Sequence, residues 1–211
     1  MFRKLFQNRN LTFLWLGQVI SQSGDSIYQI GLLWLVLELS GSETITGFVA
    51  MSVYLPSLVF SLFAGVAADR FNRRRIMITA DILRTGIVLL IPLAALLFHL
   101  NAWFLAVNAF ALVAASVFFY PARDSLLPLL VPKEQLLRAN TLIQTSWQFS
   151  LLLGPAVAAL LLEYFGKVQL FTATSLFYFG SFLFIFLIRV QEPRVAVQED
   201  HSGWKDIRQG L

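Results

Sequence analysis

Long apolar runs broken by short polar links dominate the chain. Six segments reach spanning length: roughly 11–37, 44–67, 76–98, 102–122, 139–162 and 168–189. A helix rises about 1.5 Å per residue, so about 20 residues cross a hydrocarbon core about 30 Å thick. The runs are continuous rather than alternating, and open strands cannot satisfy their backbone in lipid. The pattern therefore predicts an all-α membrane protein with six transmembrane helices. After about Gln191 the hydrophobicity falls abruptly, and 191–211 reads as a linker with a short amphipathic piece from Trp204 to Leu211.

Two spans carry polar stripes. In the first, Gln18, Ser21, Gln22, Asp25 and Gln29 fall on one helix face amid Leu, Ile, Trp, Phe and Val. A charge near the bilayer centre costs about 2.5–3.5 kcal/mol on insertion scales, so this stripe is expected to face other helices or water. Asp25 then either fixes helix packing through hydrogen bonds or binds a proton or cationic substrate in a cavity. It has no basic partner within its own helix. In the fifth span Asn140, Thr141, Gln144, Thr145 and Gln148 form another polar arc. Gln144 and Gln148 are placed to line the same cavity or to join helices. In the third, Asp81 and Arg84 are three apart on one face, which predicts an intrahelical ion pair with Arg84 snorkelling back to the interface. A coupling role for Asp81 is the alternative.

Composition supports the membrane reading: 57% of residues are hydrophobic and 13% charged, against about 25% charged in an ordinary soluble domain. The basic residues sit in short clusters between the apolar runs instead of forming one face, which argues against a nucleic-acid partner. Fourteen Lys and Arg lie on one side of the six spans and only Lys167 on the other, with Arg84 inside the third span. This asymmetry predicts that both termini are cytoplasmic in a multi-pass protein of a bacterial-type plasma membrane. There are no cysteines, and the two histidines, His99 and His201, lack ligand-like spacing, so no metal site is expected. The first apolar stretch is too long for a signal-peptide core and contains Asp25, so no cleavable leader is expected.

The stretch "GVAADRFNRRR", Gly65 to Arg75, joins two long helices by a very short link. It resembles the signature loop of the major facilitator superfamily, G-x-x-x-D-R-x-G-R-R, matching at Gly65, Asp69, Arg70, Arg73 and Arg74. Asn72 replaces the second glycine, and Asn also tolerates a left-handed turn. "FLWLGQVISQSGDSIYQIGLLWLV", "PARDSLLPLLVPKEQLLRAN" and "HSGWKDIRQGL" are similar to the drug-antiporter branch that includes macrolide efflux proteins. The resemblance covers the whole chain, as the amino-terminal six-helix half of such a transporter, built of two inverted three-helix repeats. It implies a second half that 191–211 would lead to, or a second chain in its place.

The resemblance also implies roles. Gly65, Asp69, Arg70, Arg73 and Arg74 would form a conformational latch, with Asp69 at a helix end of the other half and Arg73 pairing with Asp124. The family's fifth-helix G-P-x-x-G-G is kept only as Gly154 and Pro155, with Ala158 and Ala159 following, so helix packing there is expected to survive. "DRFNR" at 69–73 and "EYFGK" at 163–167 align at an offset of 94, as inverted repeats predict. The expected activity is secondary active, proton-coupled efflux of hydrophobic drugs such as macrolides. The cavity residues would be Asp25, Gln18, Gln22, Gln29, Gln144 and Gln148. No G-x-x-x-x-G-K motif is present, so an ion gradient rather than ATP or another cofactor is the expected energy source. A non-transporting protein that associates with a full-length relative, or a lipid-translocating member of the superfamily, remains open. No G-x-S-x-G, metal-spaced histidines or paired catalytic carboxylates point to an enzyme. Tyr28, Trp34, Tyr54 and Trp147 are candidates for contact with a bulky ligand, and the aromatic-rich last span reads as packing.

Overall fold

The computed structural model describes residues 6–97 and 99–190. The tail at 191–211 and the first basic residues, Arg3 and Lys4, lie outside them. All regular structure among the described residues is helical: α1 (Arg9–Ser40), α2 (Glu43–Ser52), α3 (Leu55–Arg70), α4 (Arg73–Leu97), α5 (Ala102–Leu130), α6 (Lys133–Phe165) and α7 (Lys167–Phe186).

Local chemistry sets the boundaries. Asn8 caps α1 by accepting from the backbone N–H groups of Asn10 and Leu11. Gly41, at φ 60°, ends that helix in the left-handed region, and Ser42 caps α2. Asn101 caps α5, and Asn72 accepts from the backbone N–H of Arg75 at the start of α4. The expected second span, 44–67, is not one smooth helix. It breaks at Val53 and Tyr54, because Pro56 in the first turn of α3 has no N–H to continue the ladder of α2.

Among the described residues five helical stretches are long and apolar enough to cross a membrane: Glu43–Arg70 taken through the break, Arg73–Leu97, Ala102–Leu130, Lys133–Phe165 and Lys167–Phe186. With 32 residues α1 has the length, but its glutamines, serines and Asp25 lower its apolar character.

The packing repeats itself. The first helix packs on α7 as α5 packs on α4, α6 packs on α1 as α3 packs on α5, and α4 and α7 lie against each other. Exchanging α1, α2–α3 and α4 for α5, α6 and α7 maps this set of neighbours onto itself. The aligned stretches Asp69–Arg73 and Glu163–Lys167 fall at the equivalent α3–α4 and α6–α7 junctions.

Three glycines on α1 are spaced seven apart and let α7 approach. A Cβ on Gly17 would meet the Ser181 carbonyl at 3.3 Å, one on Gly24 would meet the Phe177 Cβ at 3.1 Å, and one on Gly31 would meet Leu170 at 3.3 Å. At the α1–α6 crossing, a Cβ on Gly154 would overlap the Ser26 side chain.

Two large apolar clusters fill the bundle, with a small third of Ile27, Ala158 and Leu170 between α1, α6 and α7. One gathers Leu11, Leu14, Met77, Phe119, Leu126 and Ile185; the other gathers Leu32, Val36, Val88, Ile91, Leu105 and Phe171. On α1, α4, α5 and α7 the residues between these clusters are polar, and that layer holds the site.

Candidate functional site

The polar layer is centred on Arg84, which is wholly buried. Its guanidinium uses its fork of donors on two other helices: Nε donates to Ser116 Oγ on α5 at 2.8 Å, and on α1 Nη1 donates to Ser21 Oγ at 2.8 Å and Nη2 to Asp25 Oδ1 at 2.7 Å. On its own helix Nη1 reaches Asp81 Oδ1 at 3.2 Å. Tyr178 lies under the guanidinium, 4.4 Å from ring centroid to Cζ, with Phe119 at 5.3 Å on the same group.

Each carboxylate has further donors. Asp25 accepts from Tyr178 Oη at 2.7 Å and from Tyr120 Oη at 3.2 Å, and Asp81 accepts from Ser181 Oγ at 2.6 Å. Four helices thus meet in one network of two carboxylates and one guanidinium. The two acids differ in access: the Asp81 side chain has no solvent exposure, whereas that of Asp25 is 31% exposed.

Asp25 opens onto a cleft of about 260 Å³, whose walls include Tyr28, Gln29, Leu32, Tyr54, Leu112 and Tyr120. The helix break at Val53 and Tyr54 forms part of the wall, so the proline-induced interruption shapes the cleft. Tyr28 is held by Asn108, which accepts its hydroxyl at 3.1 Å and donates to the Ile87 carbonyl at 2.6 Å. An apolar wall with one carboxylate and several phenol groups suits an amphipathic ligand carrying positive charge.

The expected stripe on α1 divides. Asp25 and Gln29 face the cleft, and Ser21 binds Arg84. Gln18 and Gln22 are buried, and the Gln18 amide and the Gln22 Oε1 have no partner among the described residues. Gln144 and Gln148 are exposed on α6, outside the cleft lining. Of the aromatic candidates Tyr28 and Tyr54 line the cleft, while Trp34 and Trp147 are exposed elsewhere.

One expectation is corrected. Arg84 does pair with Asp81, but it does not snorkel: it sits eleven residues, or about 16 Å, inside α4 and is wholly buried in the bundle. Asp25 has no basic partner on its own helix, as expected, and finds one in Arg84 from α4. Tyr120, Tyr178, Ser116 and Ser181 escaped the sequence reading. The available signal was an acid with no base on its own helix, Asp25, and a base at mid-depth in another span, Arg84, whose guanidinium has more donors than Asp81 alone can take.

In the arginine loop Asp69 and Arg70 are exposed, and a Cβ on Gly65 would meet nothing within 4 Å. Arg73 approaches the Asp69 carbonyl at 3.5 Å. Arg74 binds the final carbonyls of α7, Ile185 through Nε at 3.3 Å and Phe186 through Nη2, and lies over the Phe186 ring. This caps the negative end of α7 with a cation. Asp124 pairs with Arg123 at 2.7 Å.

These features define a helical membrane protein whose bundle is crossed by a charged, ligand-accessible layer. Comparison with known proteins places it: the sequence profile of the Major Facilitator Superfamily matches residues 14–210, and the chain belongs to that family. Macrolide efflux protein A of Streptococcus pyogenes is 32% identical over 158 residues, 74% of this chain and 39% of that protein. Multidrug efflux pump Tap of Mycolicibacterium fortuitum is 31% identical over 175 residues, 80% of this chain and 42% of its own length. An uncharacterized MFS-type transporter of Bacillus subtilis, YkuC, is 28% identical over 163 residues, 77% and 37% of the two chains. The chain therefore spans less than half the length of the curated relatives it matches. Family and relatives are transporters rather than enzymes.

Proposed function

We propose that this bundle is the amino-terminal half of a secondary active transporter that exports hydrophobic or amphipathic drugs, macrolide-like compounds among them, in exchange for protons. In this reading six spans cross the plasma membrane, both termini are cytoplasmic, and a second six-helix bundle completes a midplane cavity that alternates its access. The names of the relatives and the share of their length that is matched support this assignment.

The observation that carries the mechanism is the charge balance around Arg84. Asp25, Asp81 and Arg84 together leave one carboxylate charge unbalanced, and Asp25 is the acid that reaches the cleft. In its charged form Asp25 accepts from Arg84, Tyr178 and Tyr120, which ties α1 to α4, α7 and α5. A proton on Asp25 cancels the excess charge and weakens its hold on Arg84. The guanidinium keeps Asp81, Ser21 and Ser116, so it stays satisfied while α1 loosens from the carboxylate side. A cationic drug in the cleft competes with that proton for the same oxygen atoms, which is the condition for exchange. The Asp69–Arg74 loop, with Gly65 and Asp124, serves as the latch against the second half, and Arg74 braces the end of α7.

The test is drug-stimulated proton movement in proteoliposomes containing the protein as isolated from its native membrane. Wild type should show it, and Asp25→Asn should abolish it and weaken the binding of a cationic drug. Equal proton movement in the variant would remove Asp25 from the coupling path. Drug-independent lipid movement across the bilayer in its place would favour a lipid-translocating role.

A further inference from the structure

Away from Asp25, a groove of about 360 Å³ runs between α4 and α5 and begins at the α3–α4 junction. Its α4 side comes from one helix face, from Asn72 through Arg75 and Thr79 to Leu83; Ala115 and Phe118 close it from α5. Asn72 and Arg75 stand at the junction end, and beyond them the lining is apolar apart from Thr79. Eleven helical steps from Asn72 to Leu83 span about 16 Å, close to the hydrocarbon depth of one leaflet. The small side chain of Ala115 leaves the middle open.

Arg75 stands at the polar end and is exposed. Its backbone N–H is bound to Asn72 Oδ1 at 2.8 Å, which fixes the turn. Among the described residues no carboxylate or carbonyl takes its guanidinium. The neighbouring sequence holds Arg70, Arg73 and Arg74 against one acid, Asp69, so the potential at this end favours an anion.

A leaflet-deep apolar groove with a cation at its mouth is complementary to one acyl chain beneath a phosphate. We propose that it is a binding site for an anionic phospholipid, the chain lying along α4 and the phosphate on Arg75. The net negative charge of the whole headgroup sets it apart from zwitterionic lipid. In the orientation proposed above this is the cytoplasmic leaflet, but the site stands without that assignment and without any transport activity.

The experiment is native mass spectrometry of the full chain in detergent micelles supplemented with phosphatidylglycerol or phosphatidylcholine. Wild type should retain phosphatidylglycerol at least about fivefold more tightly, the preference expected of one well-placed arginine. Arg75→Gln should erase the preference, and Leu83→Trp, at an exposed groove position, should lower retention by obstruction. Ala115→Phe is a second obstruction, with melting curves confirming that each variant is folded. Arg70→Gln, in the same loop but outside the groove, should keep most of the preference, since it alters the surrounding potential and not the phosphate contact. The proposal fails if wild type shows no preference, if Arg70→Gln loses as much as Arg75→Gln, or if both obstructed variants retain the lipid fully.

Discussion

Replacing Arg84 by methionine is the most revealing perturbation of the polar layer. Methionine fills much of the volume but makes none of the four side-chain contacts, to Ser116, Ser21, Asp81 and Asp25. It leaves two carboxylates without a countercharge, one of them fully buried. Removing one partner of a buried ion pair costs about 3–5 kcal/mol. For a chain of this size about 1 kcal/mol moves the midpoint by about 2–4 °C, so Arg84→Met should melt roughly 10 °C lower than wild type. Asp81→Asn should cost less, about 1–3 kcal/mol, because Arg84 still has Asp25. Asp25→Asn should cost least, because the side chain is partly exposed and an amide oxygen in the place of Oδ1 still accepts from Arg84 and Tyr178, with only the longer Tyr120 bond lost. Arg84→Lys should fall short of wild type too, since three donors on a flexible stem cannot reproduce the guanidinium fork. The double variant Arg84→Met with Asp81→Leu should recover part of the loss, giving a coupling of about 2 kcal/mol. Thermal unfolding in detergent, followed by tryptophan fluorescence, reads all of these. An Arg84→Met midpoint within about 2 °C of wild type, or simple additivity in the double variant, would refute the reasoning.

Other positions give independent checks. Gly154→Ala should destabilise by about 1–3 kcal/mol through overlap with Ser26, and Ser26→Gly in the same chain should restore most of it in melting curves. Tyr178→Phe should cost about 1 kcal/mol by losing the hydroxyl bond to Asp25, whereas Tyr178→Leu should cost more by also removing the ring under Arg84. The Asn10 side chain holds the Arg189 carbonyl at 2.7 Å and its N–H at 3.0 Å, so Asn10→Ala should speed amide exchange at Arg189 about tenfold.

The sequence made the helical architecture legible because continuous apolar runs and clustered arginines are direct records of the bilayer. The loop at Gly65–Arg75 made the family legible, because its Asp and Arg spacing is not required by topology alone. The interruption at Val53 was less visible: Pro56 marks a possible helix start, yet the apolar run passes through it unbroken. Asp25 was legible as an exception to its surroundings, but its partners were not. Arg84, Tyr120 and Tyr178 come from three other helices, and their meeting depends on helix rotation and depth, which periodicity within one span does not encode. Asp81 at three residues' distance offered a local explanation of Arg84 that was correct but incomplete. The glycines at 17, 24 and 31 did carry a signal, a seven-residue period along α1, whose meaning appears only once α7 lies against it.

The proposed exchange turns on Asp25 gaining and losing a proton while it faces the cleft. Infrared difference spectroscopy between drug-loaded and drug-free protein reads carboxyl protonation directly. The account predicts a protonated-carboxyl band in the drug-free sample that disappears on loading and is missing from Asp25→Asn in both states. A band that persists unchanged in Asp25→Asn, or no carboxyl change on loading in wild type, would contradict it.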